Sequence, residues 1–258
     1  MNLLRERLER NEKIFGTLVS TTDPAVCEIF GKVGYGCAWV DMEHGYMSYK
    51  ETLCHLNAAR SAGICSLVRL PQNDLTATKK VLELGPDGVL FPMLRSAEEV
   101  REVIATTLYP PHGTRGFGPI RAVDYGGLDS LEYVRERSLE TCRFVQIEHV
   151  GLLEELEEAI KTPYLDGFVF GPNDLSGSLG DFLNVFDSGI LSMMRDAIKL
   201  IRAAGLKVGV AGGMDDRAIE VWSGLGVDML FAGADWCFLY SAAKDTLERM
   251  KRTFSTLE

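Results

Sequence analysis

No stretch of this sequence approaches the roughly 18 consecutive apolar residues that a membrane-spanning helix needs. The opening, MNLLRERLERNEK, is a charged helical pattern where a secretory leader would have its apolar centre. Basic residues are outnumbered, 27 against 37 acidic, for a net charge of −10 over 258 residues. That balance argues against a nucleic-acid backbone as main partner, which needs a clustered basic surface. The six cysteines, Cys27, Cys37, Cys54, Cys65, Cys142 and Cys237, form no CxxC pair and fall mostly in apolar stretches. Structural zinc and a disulfide framework are therefore not expected. Nor does a Pro/Ser-rich linker or charge block divide the chain, so residues 1–258 read as one domain, cytoplasmic, with neither nucleic acid nor membrane as partner.

What is present is a rhythm. After an N-terminal helix, short apolar runs at Ile14–Val19, Cys37–Asp41, Ile64–Arg69, Gly88–Phe91, Arg143–Ile147, Gly167–Phe170, Lys207–Val210 and Met229–Gly233 read as eight strands. Segments of helical periodicity lie between them, among them Glu98–Thr107, Leu152–Ile160 and Leu191–Ala204. Strand–helix alternation implies a parallel sheet, and eight units in about 250 residues match a (β/α)8 TIM barrel. A doubly wound open sheet competes, but it usually has fewer strands and a Gly-rich first turn, where this chain has STTDPAV. Tyr109–Gly127, rich in Pro and Gly, is too long for a plain connection and reads as a functional or mobile loop.

Chemistry in a barrel sits at the C-terminal ends of the strands. There the sequence places Asp41 and His44, Arg69, Gln146 with Glu148 and His149, and Asn173 with Asp174. Glu148 and Asp174 end neighbouring strands, and two carboxylates so close repel unless a divalent cation intervenes; hard oxygen ligands suit Mg or Mn. Taken singly, Glu148 reads as a cap for a helix beginning at Val150 and Asp174 as the close of an Asx turn. His44, three residues after Asp41, has the ingredients of a general base oriented by an acid, with His149 its rival. Arg69 would bind a carboxylate or enolate oxygen with a forked pair of donors, or else pair with another acid at the mouth; Arg95, Arg115 and Arg121 could serve the same end. No strand ends in lysine, since Lys207 begins its strand, which leaves a Schiff-base aldolase without its amine. An enolate would then need a metal to carry its charge. The turns VAGGMDD and FAGAD could cradle a phosphate, although Asp215, Asp216 and Asp235 would repel it.

The motifs WVDMEHG, VRLPQND, YPPHGTRGFGP, QIEHVGLLEEL and DGFVFGPNDLSGSLG, in this order and over nearly the whole chain, resemble the signatures of the HpcH/HpaI class II aldolases. The resemblance implies a (β/α)8 barrel whose last helix, here Lys244–Thr253, is exchanged between subunits, commonly in a homo-oligomer, a hexamer of three dimers. It implies reversible cleavage of a 4-hydroxy-2-oxoacid to pyruvate, or a close 2-oxoacid, and an aldehyde. By position, Glu148 and Asp174 match the ligands of a divalent metal ion (Mg, Mn or Co), and His44 with Asp41 the base dyad. Arg69 matches the arginine on the oxoacid's C2 oxygen, and Gln146 a residue near the metal. The amides around Gly171, Pro172 and Asn173 match the carboxylate cradle; Pro172 has no N–H, so its neighbours must donate. Pro71, Gln72 and Asp74 fall in a loop that in relatives approaches the adjoining subunit's site. His149 replaces a usual small polar residue, and AGGMDD is less apolar than the corresponding turn of relatives, near the aldehyde pocket. A phosphate-recognising barrel lyase or isomerase, or a catalytically silent oxoacid-binding relative, are the alternatives.

Overall fold

The structure, a computed structural model, describes residues 2–256. Eight strands, β1 (Ile14–Val19), β2 (Cys37–Asp41), β3 (Cys65–Arg69), β4 (Gly88–Phe91), β5 (Cys142–Ile147), β6 (Gly167–Phe170), β7 (Lys207–Gly212) and β8 (Met229–Ala234), close in sequence order into a parallel barrel. The expected strands are all found, with ends displaced by no more than two residues. Both faces of β2, β3 and β5 are buried, which is why they read as continuous apolar runs rather than alternating ones.

Period-two geometry still divides them. Ile14, Cys37, Trp39, Leu67, Leu90, Phe144, Val169, Met229 and Phe231 fill the barrel's interior, whereas Val40, Val68, Val89, Val145, Phe168 and Val210 meet the surrounding helices. Gly16 makes room inside: a Cβ there would lie 2.5 Å from the Phe231 ring. The bottom is plugged by the helix Leu3–Glu9, capped by Asn2 through a bond from the Arg5 N–H (3.0 Å). It inserts Leu4 and Leu8, worth about 2 kcal/mol apiece in burial.

Three aspartates at the same rim tie strands in pairs. Asp87, Asp166 and Asp228, just before β4, β6 and β8, accept from the backbone N–H of Ser66, Arg143 and Val208 in the preceding strands, at 2.9, 2.8 and 3.0 Å. The repeat is visible in GPDGVLF, YLDGFVF and GVDMLF.

Two expectations are corrected, the single helix over Leu152–Ile160 and a part for Arg115 and Arg121 at the mouth. The helix expected over Leu152–Ile160 is two short ones, Val150–Glu154 and Leu156–Ala159, because Glu155 leaves helical dihedrals and its carboxylate accepts from the N–H of Ala97 (2.8 Å). The long loop Tyr109–Gly127 follows a helix, Ala97–Thr106, and so lies at the rim opposite the mouth. Buried Arg115 anchors it to Glu83 (2.8 Å) and stacks over Tyr109 and Tyr133. Arg121 bonds the carbonyl of Leu84 and the side chain of Asn57, so Arg115 and Arg121 do not reach this chain's own mouth. Arg95 is exposed.

The last helix is longer than expected, Asp235–Ser255, and Asp235 is its one buried residue. Trp236, Leu239, Tyr240, Leu247, Met250 and Phe254 along it are exposed, as is Phe15 on the outer face of β1. Among the described residues no helix is long and apolar enough to cross a membrane.

Candidate active site

At the C-terminal mouth a cavity of about 340 Å³ is lined on one side by His44, Arg69, Gln146, Asn173 and Asp174. Its centre is Arg69, 5% exposed at the end of β3. The Arg69 guanidinium donates two bonds to Asp41, Nε to Oδ1 at 3.0 Å and Nη2 to Oδ2 at 2.5 Å. Its Nη1 lies 3.0 Å from the Glu43 carboxylate and 3.5 Å from Gln146 Oε1. The Trp39 ring faces the guanidinium, centroid to Cζ 5.2 Å, and rests edge-on against Phe231. Burial works against the Arg69 charge, but the bonds and charge of Asp41, then Glu43 and Glu148, outweigh it and hold its pKa above the ordinary value.

Asp41 is thus engaged by Arg69, not by the imidazole of His44. Its Oδ1 also accepts from the backbone N–H of Glu43 (3.0 Å) and His44 (3.4 Å), which folds the turn back over the strand end. A Cβ on Gly45 would lie 2.7 Å from the Asp41 carbonyl, so the turn depends on glycine. The His44 side chain, 68% exposed, has Nε2 3.7 Å from the Glu43 carboxylate. Glu43 therefore connects His44 to Arg69. The sequence reading did not single it out, although it stands between the two residues it did.

Glu148, 2% exposed, ends β5 and is not a helix cap. That task falls to His149, whose Nδ1 accepts from the Gly151 N–H (3.0 Å) and is thereby committed to the fold. The Glu148 Oε1 accepts from the backbone N–H of Met93 (2.7 Å), a residue held at φ 57° in the left-handed region after β4. Burial pushes the Glu148 pKa up to about 7; the Met93 bond opposes this, Glu43 adds to it, Arg69 opposes it and Asp174 adds to it. Glu43 is also raised, by burial first. Asp174 lies in the first turn of the short helix Pro172–Ser178 rather than closing an Asx turn.

The backbone donors expected here are narrowed. Gly171 gives its N–H to the Ile147 carbonyl (2.9 Å) and Pro172 has none, so Asn173 and then Asp174 offer the first-turn N–H groups that have no acceptor within the helix. A Cβ on Gly171 would sit 2.8 Å from Gln146 Nε2 and 2.9 Å from Glu148 Oε2. Gly171→Ala is therefore expected to cost about 1–3 kcal/mol and to displace the Glu148 carboxylate. Thermal unfolding together with divalent-ion titration checks it; unchanged ion affinity would show that the carboxylate has room. Asp74 caps the helix Leu75–Glu83 through the Ala77 N–H (2.8 Å) and also accepts from Gln72.

These features sit in a chain whose residues 15–215 match the family described as HpcH/HpaI aldolase/citrate lyase. The chain belongs to this family. It is 28% identical over 250 residues to the hydroxypyruvate/pyruvate aldolase of Roseovarius nubinhibens, covering 97% of both chains. To the 2-dehydro-3,6-dideoxy-6-sulfogluconate aldolase of Pseudomonas putida it is 30% identical over 245 residues, covering 95% of each. The crystal structure of an HpcH/HpaI aldolase from Desulfitobacterium hafniense DCB-2 superposes with a TM-score of 0.90 at 26% identity, over 97% of each chain. The resemblance read from the motifs and the eight-stranded barrel are both borne out.

The HpcH/HpaI site also fits a divalent cation. Among the described residues no group of three or more His, Cys, Asp or Glu is arranged to hold a metal by itself. Two carboxylates completed by water and substrate oxygens are nonetheless a usual set for a hard ion such as Mg. The raised Glu148, pressed by the charges of Glu43 and Asp174, is the negative charge such an ion would neutralise.

Proposed function

We propose that this chain is a divalent-metal-dependent aldolase that reversibly cleaves a 4-hydroxy-2-oxoacid to pyruvate, or a close 2-oxoacid, and an aldehyde. The observation that carries the reading is the buried Glu148 carboxylate, its pKa raised to about 7 beside Asp174 and Glu43, across the same mouth from the Arg69 fork. A divalent ion (Mg, Mn or Co) held by Glu148 and Asp174 would supply positive charge that lowers the cost of an enolate.

The chain's own groups do the rest. Arg69 presents N–H donors to the oxygen that becomes negative at C2, already fixed in plane by Asp41, Glu43 and the Trp39 ring, so little reorganisation accompanies charge development. The N–H groups of Asn173 and Asp174 hold the oxoacid carboxylate. Gln146, 3% exposed, fixes the floor between Arg69 and Gly171. His44 takes the proton of the C4 hydroxyl as the C3–C4 bond breaks, and Glu43, within 3.7 Å, stabilises the imidazolium that results.

His44→Ala is expected to lower turnover about 10²-fold, the lower end for a general base, because the exposed position admits water as a substitute. Near-parental turnover would remove His44 from that role. The decisive experiment is proton NMR of pyruvate in deuterated buffer with metal-stripped protein, before and after adding Mg, Mn or Co. Metal-dependent loss of the methyl signal is expected. Absence of exchange with every metal would overturn the reading.

The homo-oligomer implied by the family, a hexamer of three dimers with the last helix exchanged, is supported by the exposed apolar side chains of Asp235–Ser255 and by the uncovered Phe15. Light scattering of the full chain gives its mass directly, and a monomer at micromolar concentration would refute it.

A further inference from the structure

The cavity has two unlike walls. Among the described residues, the basic and carboxylate side chains lining it, His44, Arg69 and Asp174, all belong to the arc from β2 to β6. The arc from β7 through β8 to β1 is lined by Leu18, Ala211, Met214 and Cys237 and by the bare backbone of Gly212 and Gly213. Among the described residues lining the cavity, the cations are Arg69 and, when protonated, His44; both stand on the β2–β6 arc, Arg69 held by Asp41 and Glu43 and His44 beside Glu43.

The nearest formal charges behind the β7–β8–β1 wall are acidic or engaged. Asp215 caps the helix Asp216–Gly224 through the Ala218 N–H (3.1 Å), and its Oδ2 would lie 3.2 Å from a Cβ on Gly213. Asp235 spends its carboxylate on the N–H groups of Ser20, Thr21 and Trp236 and on the Thr21 hydroxyl. Arg217, the cation beside these acids in sequence, stacks on Phe186 with its Cζ 4.4 Å from the ring centroid. Gly212 itself cannot carry a side chain without displacing Trp222, since a Cβ there would meet its Nε1 at 2.8 Å.

The geometry points to an uncharged, short aldehyde as the acceptor substrate, bound against the β7–β8–β1 wall; this rests on the aldolase reading above. In the forward direction the enolate's C3 electron pair adds to the aldehyde carbon, and the carbonyl oxygen takes a proton to become the C4 hydroxyl. The remainder of the aldehyde then faces Leu18, Met214 and the glycine backbone. A carboxylate, phosphate or sulfonate on that remainder would lose its water against apolar atoms and meet Asp215 without a cation to pair with. Small hydroxyls are tolerated, because the exposed backbone of Gly213 has polar groups. At about 340 Å³, near the lower end for small-molecule sites, the cavity favours an acceptor of a few carbons once the oxoacid is bound.

The test is an acceptor screen on the full-length, metal-loaded protein with pyruvate. Neutral aldehydes (propanal, glycolaldehyde, lactaldehyde) are compared with glyoxylate, succinic semialdehyde and glyceraldehyde 3-phosphate. Neutral acceptors are expected to show kcat/KM at least tenfold higher. An anionic acceptor that equals or exceeds them overturns the inference. Met214→Arg adds a cation to this wall and should raise the ratio of anionic to neutral kcat/KM at least tenfold. Because that ratio is taken within one protein, a general loss of activity cancels, and an unchanged ratio places the acceptor elsewhere. Pyruvate proton exchange separates the two levels. Exchange with preferred anionic acceptors sinks the acceptor class alone, whereas absent exchange sinks the aldolase reading and this inference together.

Discussion

Arg69→Ala should unfold about 10 °C below the parent and lose about 10³-fold in pyruvate proton exchange. The stability loss follows from what is left behind: Asp41 and Glu148, each 2% exposed, and Glu43 stand together with no cation among them. Breaking such a buried pair costs about 3–5 kcal/mol, and in a chain of this size each kcal/mol moves the midpoint by roughly 2–4 °C. The rate loss is that of removing a donor aimed at a developing oxyanion. Arg69→Lys separates the two effects. It restores a positive charge, so it should recover at least half of the lost stability, but it cannot reproduce the in-plane contacts to Asp41 at 3.0 and 2.5 Å and should remain about 10²-fold slow. The destabilisation in Arg69→Ala should also shrink as pH falls and the stranded carboxylates protonate. Parental exchange by Arg69→Lys would show that charge alone suffices.

Glu148→Gln should behave in the opposite sense. Metal-free, it should be more stable than the parent at pH 8, while losing both metal binding and proton exchange. Glu148 titrates near 7 in the folded protein against an ordinary 4.5, so between these values the folded state holds more protons than the unfolded one. Its contribution to stability is fully present below pH 4.5 and is lost as pH rises through 7. The difference amounts to about 3 kcal/mol at pH 8. Glutamine keeps the volume and an oxygen for the Met93 N–H at 2.7 Å, yet carries no charge to desolvate. Unfolding midpoints from pH 5 to 8, with Mn and with a chelator, check this. The parent should gain stability from metal above pH 7 and progressively less below it, and the variant should gain none. Equal midpoints for the two metal-free proteins at pH 8 would mean that burial imposes no cost on the carboxylate.

The fold was legible because parallel strands buried on both faces leave apolar runs that punctuation by Gly, Asp and Pro isolates cleanly, as in PDGVLFP and LDGFVFGP. Positions at the mouth were legible because strand ends are. Pairings there were not. A spacing of three suggested that Asp41 orients His44, but Arg69 lies opposite Asp41 in the β2–β3 register and takes its carboxylate. Glu43 acquires its part only through that same register. Met93 could not be found by side-chain type, since it acts through a backbone N–H made available by φ 57°. The position of Tyr109–Gly127 is readable from the order of elements. A segment between a helix and the next strand returns to the bottom of a barrel, which removes Arg121 from this chain's own mouth on topology alone.

The ties made by Asp87, Asp166 and Asp228 lie at the rim opposite Ala211–Met214 and fix strand pairs with no help from the mouth. A library that randomises the acceptor wall therefore works on a scaffold whose assembly is decided elsewhere. With Gly212 kept, because a Cβ there would meet the buried Trp222 ring, most of its members should still express and fold, so selection on such a library would sort variants by the aldehydes they accept rather than by their survival.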